Sequence, residues 1–136
     1  MSELNSDYLA SLWAMLVTGL LVWGQLLIAD LSALKTPHIP GAPIEPNPKN
    51  FAFRAARAHA NTNESIACFI LFVVIGILAH ANSLWLNCFA WLYVACRIAH
   101  MSCYYLQKSA LRSLSFGISL AALLGLLVID VVALIQ

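Results

Sequence analysis

Residues 51–79, FAFRAARAHANTNESIACFILFVVIGILA, decide the fold. A helix needs about 20 predominantly apolar residues to cross the hydrocarbon layer, with all its backbone polar groups satisfied internally. This stretch has that length, and its ionisable and amide groups are not scattered. Arg54, Arg57, Asn61 and Glu64 recur at intervals of three and four, which at about 100° per residue confines them to one face about 80° wide. A single polar stripe on an otherwise apolar cylinder is the pattern of a transmembrane helix whose stripe is turned away from lipid.

Working outward, Tyr8 to Ala29, Leu84 to Leu106 and Leu114 to Leu134 are long enough for three more spans. The expected fold class is therefore all-α integral membrane: one domain, residues 1–136, built as a bundle of four transmembrane helices. All five prolines (37, 40, 43, 46 and 48) lie between the first and second spans, giving an extended, solvated loop. The connection from His80 to Ser83 is short, so the second and third spans form a tight antiparallel hairpin. The connection near Lys108 to Arg112 is short and basic.

Composition agrees. Of 136 residues, 62% are hydrophobic and only 10% charged, and the mean hydropathy is +0.84, far from an ordinary soluble domain. A net charge of +1 with no basic tail excludes nucleic-acid binding. Glu3 and Asp7 stand where a signal peptide would be basic, so the first apolar stretch reads as a retained span. Cys68, Cys88, Cys96 and Cys103 lack ligand spacing, so no metal site is expected and the cysteines read as small core residues. Lys35, Lys49, Arg54, Arg57, Lys108 and Arg112 cluster at the first and third connections, which the positive-inside rule assigns to the cytoplasm. Both termini of this multi-pass protein are then expected to be periplasmic, the compact loops favouring a bacterial inner membrane over an organellar one.

The third span carries a second stripe. Tyr93, Arg97, His100, Tyr104 and Lys108 share one equally narrow face. At 1.5 Å per residue Glu64 lies about 20 Å below Phe51 and Arg97 about 16 Å below Lys108, at similar depth. Two readings follow. Glu64 and Arg97 form a structural ion pair with the tyrosines packed around it, or the stripes line a cytoplasm-facing cleft whose arginines bind carboxylates while Glu64 accepts from an ammonium or amide. His59 and Asn63 project nearly opposite the first stripe, so oligomerisation is expected to bury them, with His59 as a packed interface histidine. His100 reads as a general base or as a buried neutral side chain beside Arg97. The sequon Asn63-Glu64-Ser65 falls within a helix and reads as a chance match. Asp130 is expected to reach the outer interface. Trp13, Trp23, Trp85 and Trp91 read as interfacial or packing aromatics.

At these stripes the sequence resembles the membrane-associated proteins in eicosanoid and glutathione metabolism (MAPEG), the superfamily of microsomal glutathione transferases and leukotriene-forming synthases. Arg57-Ala58-His59-Ala60-Asn61 followed by Glu64 carries the resemblance, with Arg97-Ile98, His100, Tyr104, Arg112 and the stretch Leu114 to Gly117. The pattern is most similar to microsomal glutathione transferase-like and short bacterial members. The resemblance implies a homotrimer with glutathione as co-substrate, bound between subunits near the cytoplasmic face, and a lipophilic small molecule arriving from the membrane lipids. It implies glutathione contacts at Arg57, His59, Asn61, Glu64, Arg97, His100 and Tyr104, and makes Arg112 the catalytic cation that stabilises the thiolate. Two departures stand out. The end of the first span carries Asp30 and no arginine where catalytic relatives supply basic residues, and Ser65 stands where leukotriene-forming members have tyrosine.

The expected function is a glutathione-dependent transferase or peroxidase acting on lipophilic electrophiles. The alternatives are a non-enzymatic member that binds a lipid or amphiphile, and a small transporter, for which four unbroken spans give no alternating-access design.

Overall fold

The computed structural model describes residues 6–37, 39 and 41–136; Glu3 and Pro40 lie outside the described residues. Among the described residues four long helices form the bundle, α1 (Leu9–Ala33), α2 (Phe51–Leu78), α3 (Ser83–Tyr105) and α4 (Ser109–Ile135). The central pair, α2 and α3, pack on each other, α1 lies against both, and α4 lies against both. Among the described residues, α1, α2 and α4 are long and apolar enough to cross a membrane. In α3, Asn87, Tyr93, Arg97 and His100 lower the hydropathy, yet the last three of these are buried. The surface is covered by large apolar side chains, among them Leu16, Leu20, Trp23, Leu71, Leu124 and Val131. Exposure on that scale suits contact with lipid, not water.

The ends of the helices follow from local chemistry. Asn50 caps α2, its Oδ1 accepting from the Ala52 N–H at 2.9 Å, and Asn82 caps α3, accepting from the Trp85 N–H. At both reversals the chain closes with a left-handed residue: His80 (φ 54) after α2 and Gln107 (φ 60) after α3. The Ala81 N–H donates to the Gly76 carbonyl and the Lys108 N–H to the Cys103 carbonyl, six-residue closures that satisfy carbonyls a helix end leaves free.

Packing uses small residues where helices approach closely. The inner face of α2 is Ala52, Ala55, Ala58, Thr62 and Ser65 before it becomes Phe69 and Val73, and α1 buries Ser11, Ala14, Thr18, Gln25 and Ala29. Such seams raise van der Waals contact where no hydrophobic force acts between helices. In the central core the Phe69 and Tyr93 rings stack with centroids 4.3 Å apart. Away from the basic end, α1 is fastened to α3 by polar bonds. The Ser11 hydroxyl donates to Asn87 Oδ1 at 2.6 Å, Asn87 Nδ2 donates to the Asp7 carbonyl, the Trp91 indole donates to the Ala10 carbonyl, and the Tyr8 hydroxyl donates to the Ala81 carbonyl.

Several expectations need correction. The helix α4 begins at Ser109, five residues before the apolar span expected from about Leu114, so Arg112 lies in its first turn and the third connection is three residues, Leu106, Gln107 and Lys108. The apolar run alone set the sequence boundary; the polar residues Ser109, Arg112 and Ser113 extend the helix ahead of it. Asp130 does not reach an interface. It is 2% exposed and packs where Gly76 leaves room, since a Cβ there would lie 2.7 Å from its Oδ1. Of the cysteines only Cys96 is buried; Cys103 is half-buried, and Cys68 and Cys88 are exposed.

Candidate functional site

The two stripes meet. Arg97 is fully buried, and its Nη1 donates to Asn61 Oδ1 at 2.9 Å and to the Asn61 carbonyl at 3.4 Å. Its guanidinium lies over the Tyr93 ring at 5.3 Å and the Phe116 ring at 5.5 Å. One arginine thus joins α2, α3 and α4, with cation–π contacts replacing lost hydration. The expected Glu64–Arg97 ion pair does not form among the described residues. Asn61 stands between them, its Nδ2 donating to Glu64 Oε2 at 3.4 Å, because Asn61 lies about 60° closer than Glu64, around the helix axis, to the buried face. The Tyr93 hydroxyl bonds Ser65 Oγ at 2.8 Å.

Toward the basic end of the bundle the stripes separate and a cavity opens. It has a volume of about 490 Å³ and is lined by Pro48, Lys49, Phe53, Arg54, Arg57, Tyr104, Gln107, Ser109 and Arg112. A smaller cavity of about 200 Å³ adjoins it and is lined by Asn61, His100, Tyr104, Arg112, Ser113 and Phe116. Tyr104 and Arg112 belong to both, and the Arg112 guanidinium lies 4.6 Å from the centre of the Tyr104 ring. His100 is buried and meets Tyr104 edge-on with centroids 5.1 Å apart. The lining of the larger cavity contains Lys49, Arg54, Arg57 and Arg112 and no carboxylate. The N-terminus of α4, which has no side-chain cap, adds its unpaired amides at the same edge. Anions are favoured here.

The sequence-selected residues divide into two groups. Arg57, Asn61, His100, Tyr104 and Arg112 line one or other cavity, with Arg97 directly behind Asn61. His59 and Glu64 line neither. Glu64 is exposed on the outer face of α2, and His59 lies on the opposite flank, where the Asn63 amide meets its Nε2 at 2.9 Å. Sequence reasoning did not select Lys49, Phe53, Gln107, Ser109, Ser113 or Phe116. Phe53 and Phe116 look like ordinary lipid-facing residues in the sequence, and Gln107 and Ser109 reach the site only because the α3–α4 turn is so tight.

The cavity arginines come from two helices, Arg54 and Arg57 from α2 and Arg112 from α4. Such a polar pocket at one end of a bundle has a counterpart among known sequences. A model of the MAPEG family matches residues 10–132. The chain belongs to the MAPEG family. A comparison with curated proteins found no match. MAPEG members generally use glutathione and are typically homotrimeric membrane proteins, and the match spans all four helices of this chain. As a MAPEG protein with three strongly apolar helices it is a multi-pass membrane protein, of the broad class concerned with glutathione or eicosanoid chemistry.

Proposed function

We propose that this protein is a membrane-embedded glutathione-dependent transferase or peroxidase acting on lipophilic electrophiles. One observation carries the reading: Arg57, Tyr104 and Arg112, from three different helices, border a single cavity free of acidic side chains at the basic end of the bundle. Glutathione brings a pair of carboxylates and a thiol, and forked guanidinium donors suit the carboxylates. Arg112 is the candidate catalytic cation. A guanidinium beside sulfur favours the thiolate, the nucleophilic form, and the Tyr104 ring against Arg112 fixes its orientation. Arg57, His59, Asn61, Glu64, Arg97, His100 and Tyr104 form the candidate binding set. Within it, Arg97 acts by holding Asn61.

Assembly completes the proposal. Glu64 and Asn63 are exposed on α2, well inside an apolar span, where lipid contact costs several kcal/mol unless a polar environment covers them. A homotrimer would cover that face and bring Glu64 and His59 to sites at subunit boundaries. All four helices then span the membrane, α3 with its polar stripe turned inward, and the basic connections face the cytoplasm.

The test is calorimetric titration of the detergent-purified protein with glutathione, followed by the ultraviolet absorbance of the bound thiolate. Binding is expected in the wild type, and Arg112→Ala is expected to retain much of it while losing the thiolate band. No glutathione binding by the wild type would remove the proposal. A second reading, a non-enzymatic binder of lipid or amphiphile, is favoured by the absence of any α1 residue from the two cavities. Co-purified lipid together with no turnover of hydroperoxide or chlorinated aromatic substrates would support it.

A further inference from the structure

The loop before α2 does more than connect. Its last residues form part of the larger cavity's wall through Pro48 and Lys49, and their backbone is held from several sides. The Lys49 N–H donates to Asn47 Oδ1 at 3.0 Å. The Asn50 N–H donates to the Asn47 carbonyl, while the Asn50 side chain caps α2. Arg54 closes the arrangement from the helix: its Nη1 donates to the Pro48 carbonyl at 2.8 Å and to the Lys49 carbonyl at 2.9 Å. Its guanidinium rests 5.6 Å from the Phe51 ring centre, and that ring packs on Tyr105. So one nitrogen of Arg54 is spent on loop carbonyls, and the backbone of Lys49 is fixed while its exposed side chain has no acidic partner among the described residues.

We propose that Lys49 is a carboxylate-binding residue of this cavity and that Arg54 is the positioning residue that holds it there. The inference rests on the proposed function. The chemistry of the lining supports it. Arg57 and Arg112 answer one carboxylate and the sulfur of a thiol tripeptide, which leaves the second carboxylate, or the carboxylate of an anionic amphiphilic electrophile, to be met at the rim. No acidic side chain in the lining competes for Lys49. α1 brings no basic residue to the cavity, so the loop supplies the cation that the first span does not. A lysine is suited to this place, since its ammonium is a compact charge on a flexible stem, and fixing its backbone beforehand lowers the ordering cost of the contact.

The experiment compares wild type, Lys49→Met and Lys49→Arg, all full-length in detergent. Titration with glutathione and with its glycyl ethyl ester tests the first source of the carboxylate. If it is glutathione's, the wild type binds the ester about ten-fold or more weakly, as expected for one charge-assisted hydrogen bond, and Lys49→Met binds both alike. If the carboxylate belongs to the electrophile, Lys49→Met raises KM about ten-fold for a fatty-acid hydroperoxide and leaves a neutral alkyl hydroperoxide unchanged. Titration with oleate against methyl oleate tests Lys49 even if glutathione does not bind, so failure of the proposed function and failure of this inference are separable. Lys49→Arg is expected to restore the preference in each case. An unchanged preference for every carboxylate on Lys49→Met overturns the proposal. The role of Arg54 is read from Arg54→Met and the double variant. The single change is expected to reproduce the Lys49 effect and the double to add nothing further, whereas independent, additive losses would mean that Arg54 binds ligand itself.

Discussion

Replacing Gly125 by alanine drives a methyl group into the Phe89 ring. A Cβ at that position would lie 2.6, 2.7 and 2.8 Å from Cε1, Cδ1 and Cζ, where carbon atoms ordinarily rest about 3.5–4.0 Å apart. The ring must retreat by about 1 Å, and it cannot do so freely, because Trp85 stacks beside it with centroids 6.1 Å apart. Either Phe89 leaves its rotamer or α3 and α4 part. Overpacking of this kind costs about 1–3 kcal/mol, against a gain of about 0.8–1.0 kcal/mol from replacing glycine within a helix. Gly117 is the control, since it lies in the same helix and has nothing within 4 Å of an added Cβ. Gly117→Ala therefore takes only the gain. The two variants should differ by about 1–3 kcal/mol, or about 3–15 °C in melting temperature for a chain of this size. Thermal unfolding in detergent, followed by tryptophan fluorescence, reads the difference. If Gly125→Ala melts at or above Gly117→Ala, the α3–α4 contact described here is wrong.

Other expected outcomes follow from single contacts. Asn61→Leu leaves the buried Arg97 without its side-chain acceptor and should cost at least about 1.5–3 kcal/mol, seen as a lower melting temperature even without ligand; an unchanged melting point would mean that Asn61 does not hold Arg97. Trp91→Phe removes the bond to the Ala10 carbonyl and should cost about 1 kcal/mol while leaving glutathione affinity untouched, since it lies at the other end of the bundle. His80→Gly relieves a left-handed residue (φ 54) and should raise stability by about 0.5–1 kcal/mol. Cysteine labelling of intact cells at position 47 and position 80 should separate the two faces of the membrane, the former protected and the latter reactive to an impermeant reagent; the reverse pattern would invert the proposed topology.

The amino-acid sequence by itself determined the solvent, the helices and the polar faces. Their causes are local: an apolar run long enough to span hydrocarbon must become a helix, and residues three or four apart must share its side. That is why Arg57, Asn61, His100 and Tyr104 were legible as one constellation, and why the Arg57 to Glu64 run suggested the family. Only the tertiary structure decided who meets whom. Glu64 and Arg97 have matching depth and opposite charge, yet depth along an axis says nothing of rotation about it. Small residues at Ala55, Ala58 and Thr62 set how α2 turns against its neighbours, so the asparagine faces the buried arginine and the glutamate faces out. Lys49 entered the cavity because its N–H donates to Asn47 Oδ1 and its carbonyl accepts from Arg54, bonds that bend the loop back onto α2, and Arg112 entered through a turn tight enough to start α4 five residues early. Such placements depend on how helices approach and how a loop satisfies its carbonyls, and no periodicity in the chain encodes them.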